Sequence, residues 1–114
     1  MSLKHFTDAE VAGLDETLSG KLDQAREYVG FPIKITCGKR TPEQNAAVGG
    51  KDDSSHLLGL AADLQRPPGP DEAVQLAWAL GLAGFDRIEI ADKHFHVCVN
   101  PSKKHPCVWR GISK

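Results

Sequence analysis

The segment Ser54-Ser55-His56-Leu57-Leu58-Gly59-Leu60-Ala61-Ala62-Asp63-Leu64 sets an imidazole and a carboxylate at either end of a small, apolar run. Nothing between them can exchange a proton or bind a metal. Downstream, Arg87-Ile88-Glu89-Ile90-Ala91 and His94-Phe95-His96-Val97-Cys98-Val99 are separated only by Asp92-Lys93, which is the spacing of a tight hairpin. In that register Ala91 faces His94, Ile90 faces Phe95 and Glu89 faces His96. Directly opposed residues share a face, with Cβ atoms about 4.5–5.5 Å apart. His94 and His96, two apart, project to the same side, while Ile88, Ile90, Phe95 and Val97 make the other side apolar. A glutamate in the middle of such a strand, beside a histidine, is something a core avoids.

Two histidines and one carboxylate, here His56, His96 and Asp63, are a common ligand set for zinc that leaves a fourth position open. A further carboxylate such as Glu89 could then take a proton from an attacking water and pass it to a leaving amine. The same residues also permit a blander reading: a core histidine bonded to backbone, a loop histidine and a solvated carboxylate. Cys98 shares a strand face with His96 and is an alternative thiolate ligand. His5 and His105 lie in terminal or loop segments and read as surface groups.

The elements that must position these groups can be placed in order. Thr7-Asp8-Ala9-Glu10 fits a capping box, and Val11, Leu14, Leu18, Leu22, Ala25 and Val29 follow at helical spacing. One helix is therefore expected from Thr7 to Val29, with a possible break at Gly20 and a C-terminal cap at Gly30. Ile33–Cys37 alternates as a strand does. A short helical turn is expected over Thr41–Val48, with Pro42 at its first position and Gly49-Gly50 ending it. Leu60–Gln65 reads as a short buried strand. Pro67-Pro68-Gly69-Pro70 breaks the chain before a second helix from Asp71 to Ala83. The tail is loop-like, with a possible last strand at Cys107-Val108-Trp109. This order predicts a small single α+β domain, with a mostly antiparallel sheet covered by helices on one side.

With 114 residues, 40% hydrophobic and 25% charged, the chain has the composition of one ordinary globular domain. The net charge of −1, no basic cluster beyond Lys103-Lys104 and few aromatics argue against a nucleic-acid surface. No apolar stretch approaches the ~20 residues of a membrane span. No basic segment followed by an apolar run marks a signal peptide, so cytoplasmic synthesis is expected. Three cysteines without CxxC spacing read as reduced thiols, with a Cys37–Cys98 bridge left open. A monomer is expected.

The stretches TCGKRTPEQNAAVGGKDDSSHLLGLAADL and GFDRIEIADKHFHVCVNPSKKHPCVW resemble the zinc D-Ala-D-Ala carboxypeptidase and murein endopeptidase family, peptidase family M15. The similarity is greatest to its short form in phage lysins, and it covers about Ile33 to Trp109. The resemblance implies a fold of that kind, with one zinc held by His56, Asp63 and His96. It also implies a substrate-holding role for Arg40, whose guanidinium forks onto carboxylate oxygens, and substrate contacts from Ser55 and His94. By the same resemblance Gly59, Ala61 and Ala62 let the backbone pack closely beside the metal. The implied activity is hydrolysis of peptidoglycan stem peptides, as a carboxypeptidase or an endopeptidase, by an enzyme that reaches the wall on release.

Three stretches depart from the pattern. Cys37-Gly38-Lys39-Arg40 stands where Ser-Gly-Tyr-Arg is usual. Cys98 replaces an aspartate two residues after the last ligand. Lys93 occupies the place of the catalytic acid in longer members, which leaves Glu89, with Asp92 as second candidate, to move the proton. These departures motivate an alternative: a zinc-binding module of the same fold without hydrolysis.

Overall fold

The computed structural model describes residues 3–111, which fold as one mixed sheet with two long helices on a single face. In chain order the elements are α1 (Glu16–Val29), β1 (Ile35–Cys37), α2 (Pro42–Ala47), a 3-10 turn (Ser55–Leu58), β2 (Ala61–Gln65), α3 (Pro70–Leu82), β3 (Arg87–Ile90), β4 (His94–Cys98) and β5 (Cys107–Arg110). The strands lie in the order β1-β2-β4-β3-β5. All neighbours are antiparallel except β3 and β5, which run parallel. The mostly antiparallel α+β domain expected from sequence is the one observed.

Period-two alternation divides the sheet into two chemically different faces. Ala62, Leu64, Ile88, Phe95 and Val97 point to one side, where they meet Leu18, Leu22 and Ala25 of α1 and Ala73, Leu76, Ala79 and Leu80 of α3. Phe95 is the largest side chain fully removed from water. The opposite face carries Asp63, His96 and Glu89, each half-buried.

The first helix starts later than its sequence pattern suggests. Thr7 and Glu10 do make the reciprocal bonds of a capping box: the Thr7 N–H donates to Glu10 Oε1 (2.9 Å), and the Glu10 N–H to Thr7 Oγ1 (3.2 Å). That box closes only a local turn, because Gly13 enters the left-handed region at φ 79° and ends it. α1 begins afresh at Glu16, with the Asp15 carboxylate capping the Thr17 N–H at 2.9 Å. Gly20 lies inside α1 without breaking it, and Gly30 caps it at φ 77°. β1 is shorter than expected, and the last strand forms as expected over Cys107–Arg110. All three cysteines are free thiols, so the Cys37–Cys98 bridge is absent.

Gly59 is required by close backbone packing against the start of the chain. It closes the 3-10 turn at φ 71°, and a Cβ there would collide with the Gly13 carbonyl oxygen. The Gly59 carbonyl in turn accepts the Asp15 N–H at 2.9 Å, tying this turn to the start of α1. Gly59→Ala is therefore expected to destabilise the fold by more than the ~1–2 kcal/mol of a left-handed alanine, as read by urea denaturation.

Candidate metal centre and cleft

One row of residues crosses the sheet. Cys37 of β1 lies opposite Asp63 of β2, Asp63 opposite His96 of β4, His96 opposite Glu89 of β3, and Glu89 beside Trp109 of β5. The Glu89–His96 pairing is the one the two-residue hairpin loop demands. An irregularity in β1 completes the row. Ile35 pairs with Leu64 but Cys37 pairs with Asp63, so one extra residue, Thr36, sits on the β1 side. Such a bulge bends its strand and re-aims the side chains beyond it. Here it turns Cys37 to the Asp63 side and carries Gly38 and Arg40 over the row.

His56 reaches the row from the 3-10 turn that precedes β2. Ser54 caps this turn by accepting the His56 N–H at 3.3 Å. The ring is buried, and its Nδ1–H donates to the Gly38 carbonyl at 2.8 Å. That bond orients the ring and turns Nε2 toward Asp63, 3.4 Å from Oδ1. His96 Nδ1 lies 2.9 Å from the same oxygen, and the two rings have centroids 5.2 Å apart. Around a tetrahedral ion with bonds of about 2.0–2.1 Å, ligand atoms stand about 3.3 Å apart. Each nitrogen's approach to the Asp63 oxygen is of that order. Among the described residues, the three donors whose atoms all lie within 4.8 Å of one another are Cys37, His56 and Asp63, and His96 joins them through the Asp63 oxygen.

Arg40 is held from several directions. Its backbone N–H donates to the His56 carbonyl at 3.0 Å. Its Nε–H donates to Cys37 Sγ at 3.3 Å, one terminal nitrogen donates to Asn45 Oδ1 at 3.2 Å, and the other lies 3.6 Å from Asp63 Oδ2. Asn45 also donates to the Lys51 carbonyl at 2.8 Å, and any side chain at Gly50 would collide with it. Asn45 is a site residue that sequence reasoning passed over. Its only signal was the spacing from Asn45 to Gly49-Gly50 within the turn.

These side chains open into a cavity of about 690 Å³ lined by Arg40, His56, Asp63, Glu89, His94 and His96 together with Val48, Lys51, Ser54 and Lys93. Glu89 Oε1 stands 3.6 Å from His94 Nε2. The Glu89 carboxylate presses against Gly111, where any Cβ would strike it. Asp92, the second candidate for the proton carrier, is exposed in the hairpin turn and does not line the cavity. Ser55, expected to touch substrate, is instead buried behind the histidines, where its Oγ accepts from Asn100 Nδ2 at 3.2 Å. Its neighbour Ser54 faces the cavity. His5 and His105 are tied at the surface to Glu27 (2.6 Å) and Asp86 (3.1 Å).

Burial opposes charge on both members of the Asp63–His96 pair, and their mutual bond overcomes it. The hydrogen bonds from His56 and His96 hold the Asp63 carboxyl well below the usual carboxylate range. The Asp63 carboxylate, with Cys98 behind it, holds His96 up at about 9. Burial likewise pushes the Cys98 thiol up, but His96, Ser55 and the Asn100 N–H bring it down to about 7. A raised histidine pKa means that the folded state binds the extra proton, so stability falls as pH rises between about 6.5 and 9. On the acid side the Asp63 contribution is present above pH 3.8 and lost as pH falls below it. The lowered Cys98 thiol acts in the opposite sense, adding stability as pH rises between about 7 and 9, so in the metal-free parent the two contributions largely offset each other. Cys98→Ser should therefore uncover the alkaline loss in urea denaturation with chelator, and adding Asp63→Asn should flatten it again.

Comparison with known proteins adds three findings. No curated protein sequence matches the chain. Among solved structures, the L-Ala D-Glu endopeptidase ChiX of Serratia marcescens shares the fold, with a TM-score of 0.57 and 23% identity over 79% of this chain and 84% of that one. The model of the family described as peptidase M15 matches residues 3–98, which takes in β1, the His56 turn, β2, β3 and β4. By that match across most of its length, the chain belongs to the peptidase M15 family.

Proposed function

We propose that the protein is a zinc-dependent peptidase that hydrolyses peptide bonds in peptidoglycan stem peptides, with His56, Asp63 and His96 holding the metal. The observation that carries this reading is the approach of two histidine nitrogens to one oxygen of Asp63 on the cavity wall. Membership of the M15 family supports the peptidase chemistry. The fold shared with an L-Ala D-Glu endopeptidase makes that bond the first to test. Arg40, Lys51 and Lys93 around the cavity suit a stem peptide, which carries free carboxylates.

Bound at these residues, zinc supplies Lewis acidity, polarising the scissile carbonyl and acidifying the attacking water. The protein supplies position and proton traffic. Arg40 is clamped through Cys37 and Asn45, so its fork is presented in one orientation to a substrate carboxylate or carbonyl. Glu89, one strand away from His96, accepts a proton from the attacking water and returns it to the leaving amine. His94, beside the Glu89 carboxylate, lies in place to donate a hydrogen bond to the substrate.

Purified stem peptides analysed by mass spectrometry, with zinc quantified in parallel, test this reading. Glu89→Gln should lower kcat by ~10²–10⁴-fold with zinc retained, whereas Asp92→Asn should leave turnover near that of the parent. His56→Ala should lose both metal and cleavage, and retained cleavage in that variant would contradict the assignment. Stoichiometric zinc without cleavage of any stem peptide would leave a zinc-binding module and overturn the hydrolase.

A further inference from the structure

The geometry points to Cys37 as a fourth metal ligand, a sulfur donor added to the His56, Asp63 and His96 set. The inference rests on the metal-site reading above. Cys37 occupies the row position directly opposite Asp63, on the same face. The bulge in β1 puts it there, since an uninterrupted strand would have turned Cys37 to the side that Ile35 faces. Opposed Cβ atoms stand about 4.5–5.5 Å apart, so a sulfur on one side and a carboxylate on the other can reach a common ion. The donor atoms of Cys37, His56 and Asp63 already lie within 4.8 Å of one another.

Other observations suit a ligand better than a packing residue. Cys37 is only half-buried and pairs with Asp63, a residue of the cavity wall. Its Sγ accepts the Arg40 Nε–H at 3.3 Å, so a cation already faces the sulfur. His56 takes its orientation from the Gly38 carbonyl at 2.8 Å, and Sγ, 3.9 Å from the same ring nitrogen, is not needed for that purpose. Ligation would exchange the Sγ contact with Arg40 for one to the ion, leaving Arg40 held by Asn45 and by its backbone bond to His56. On ligation the S–H bond breaks, its proton passes to solvent, and a sulfur lone pair forms the bond to the metal. Nothing is oxidised or reduced.

A thiolate makes the site softer and favours thiophilic ions. Four protein donors also close a site that three leave open, so the resting protein would hold its metal tightly and Cys37 would have to leave for substrate to enter.

The test replaces zinc with Co²⁺ in the full chain. Visible d–d bands report that the site is filled, and a near-ultraviolet thiolate-to-cobalt charge-transfer band reports sulfur on the ion. The parent protein should show both. Cys37→Ser and Cys37→Ala should keep the d–d bands, lose the charge-transfer band and bind Co²⁺ about tenfold more weakly, with far-ultraviolet circular dichroism confirming that they fold. Cys98→Ser should keep both features. Filled sites without a charge-transfer band in the parent would overturn the inference while leaving the metal site standing. So would a band that survives Cys37→Ser and disappears in Cys98→Ser. Absence of d–d bands in the parent would instead remove the metal-site reading, and this inference with it.

Discussion

The structure depends on placing one half-buried carboxylate, Asp63, between two histidines on a sheet whose other face is wholly apolar. Asp63 and His96 are cross-strand partners, and their bond at 2.9 Å exists only if β2 and β4 pair in this register. A slip of one residue would bring Leu64 to the cavity and send Asp63 into the helices. Burial of Ala62, Leu64, Phe95 and Val97 against α1 and α3 excludes that alternative. The hydrophobic core therefore does more than stabilise the domain, since it holds the polar face in the one alignment in which its charged groups meet.

Around that pair the remaining parts arrive from segments that the sheet does not itself specify. His56 comes from a 3-10 turn braced by Ser54, by the Gly38 carbonyl and, through Gly59, by the start of α1. Arg40 comes from the bulged end of β1 and is clamped by Asn45. Such a half-buried set of like and unlike charges is costly to desolvate unless each member is paired. The raised His96 and depressed Asp63 are two views of one ion pair. A cation bound between them would take over the role that the His96 proton plays in the metal-free protein.

Much of this was legible in the chain. The Asp92-Lys93 loop is too short to permit more than one pairing, so the opposition of Glu89 and His96 follows from counting. His56 and Asp63 stand out because nothing between them is reactive, and the resemblance of that segment to one family names the same residues. The helix starting at Glu16, the bulge at Thr36, the burial of Ser55 under Asn100 and the parallel docking of β5 were not legible. Each is decided by a partner distant in sequence. The Thr7–Glu10 box forms as its pattern demands, yet it caps nothing because Gly13 turns the chain away. Asn45 carries no chemical signature of its own and becomes a site residue only once Arg40 lies against it.

Whether Asp63, His56 and His96 form one metal site is decided most directly by calorimetric titration of zinc into metal-stripped protein near pH 7.5. Measured in buffers of different ionisation enthalpy, the titration also counts protons. Saturation is expected at one zinc per chain, with proton release because His96 remains protonated until about pH 9. Absence of saturable uptake, or uptake unchanged by Asp63→Ala, would contradict a metal centre built on this carboxylate.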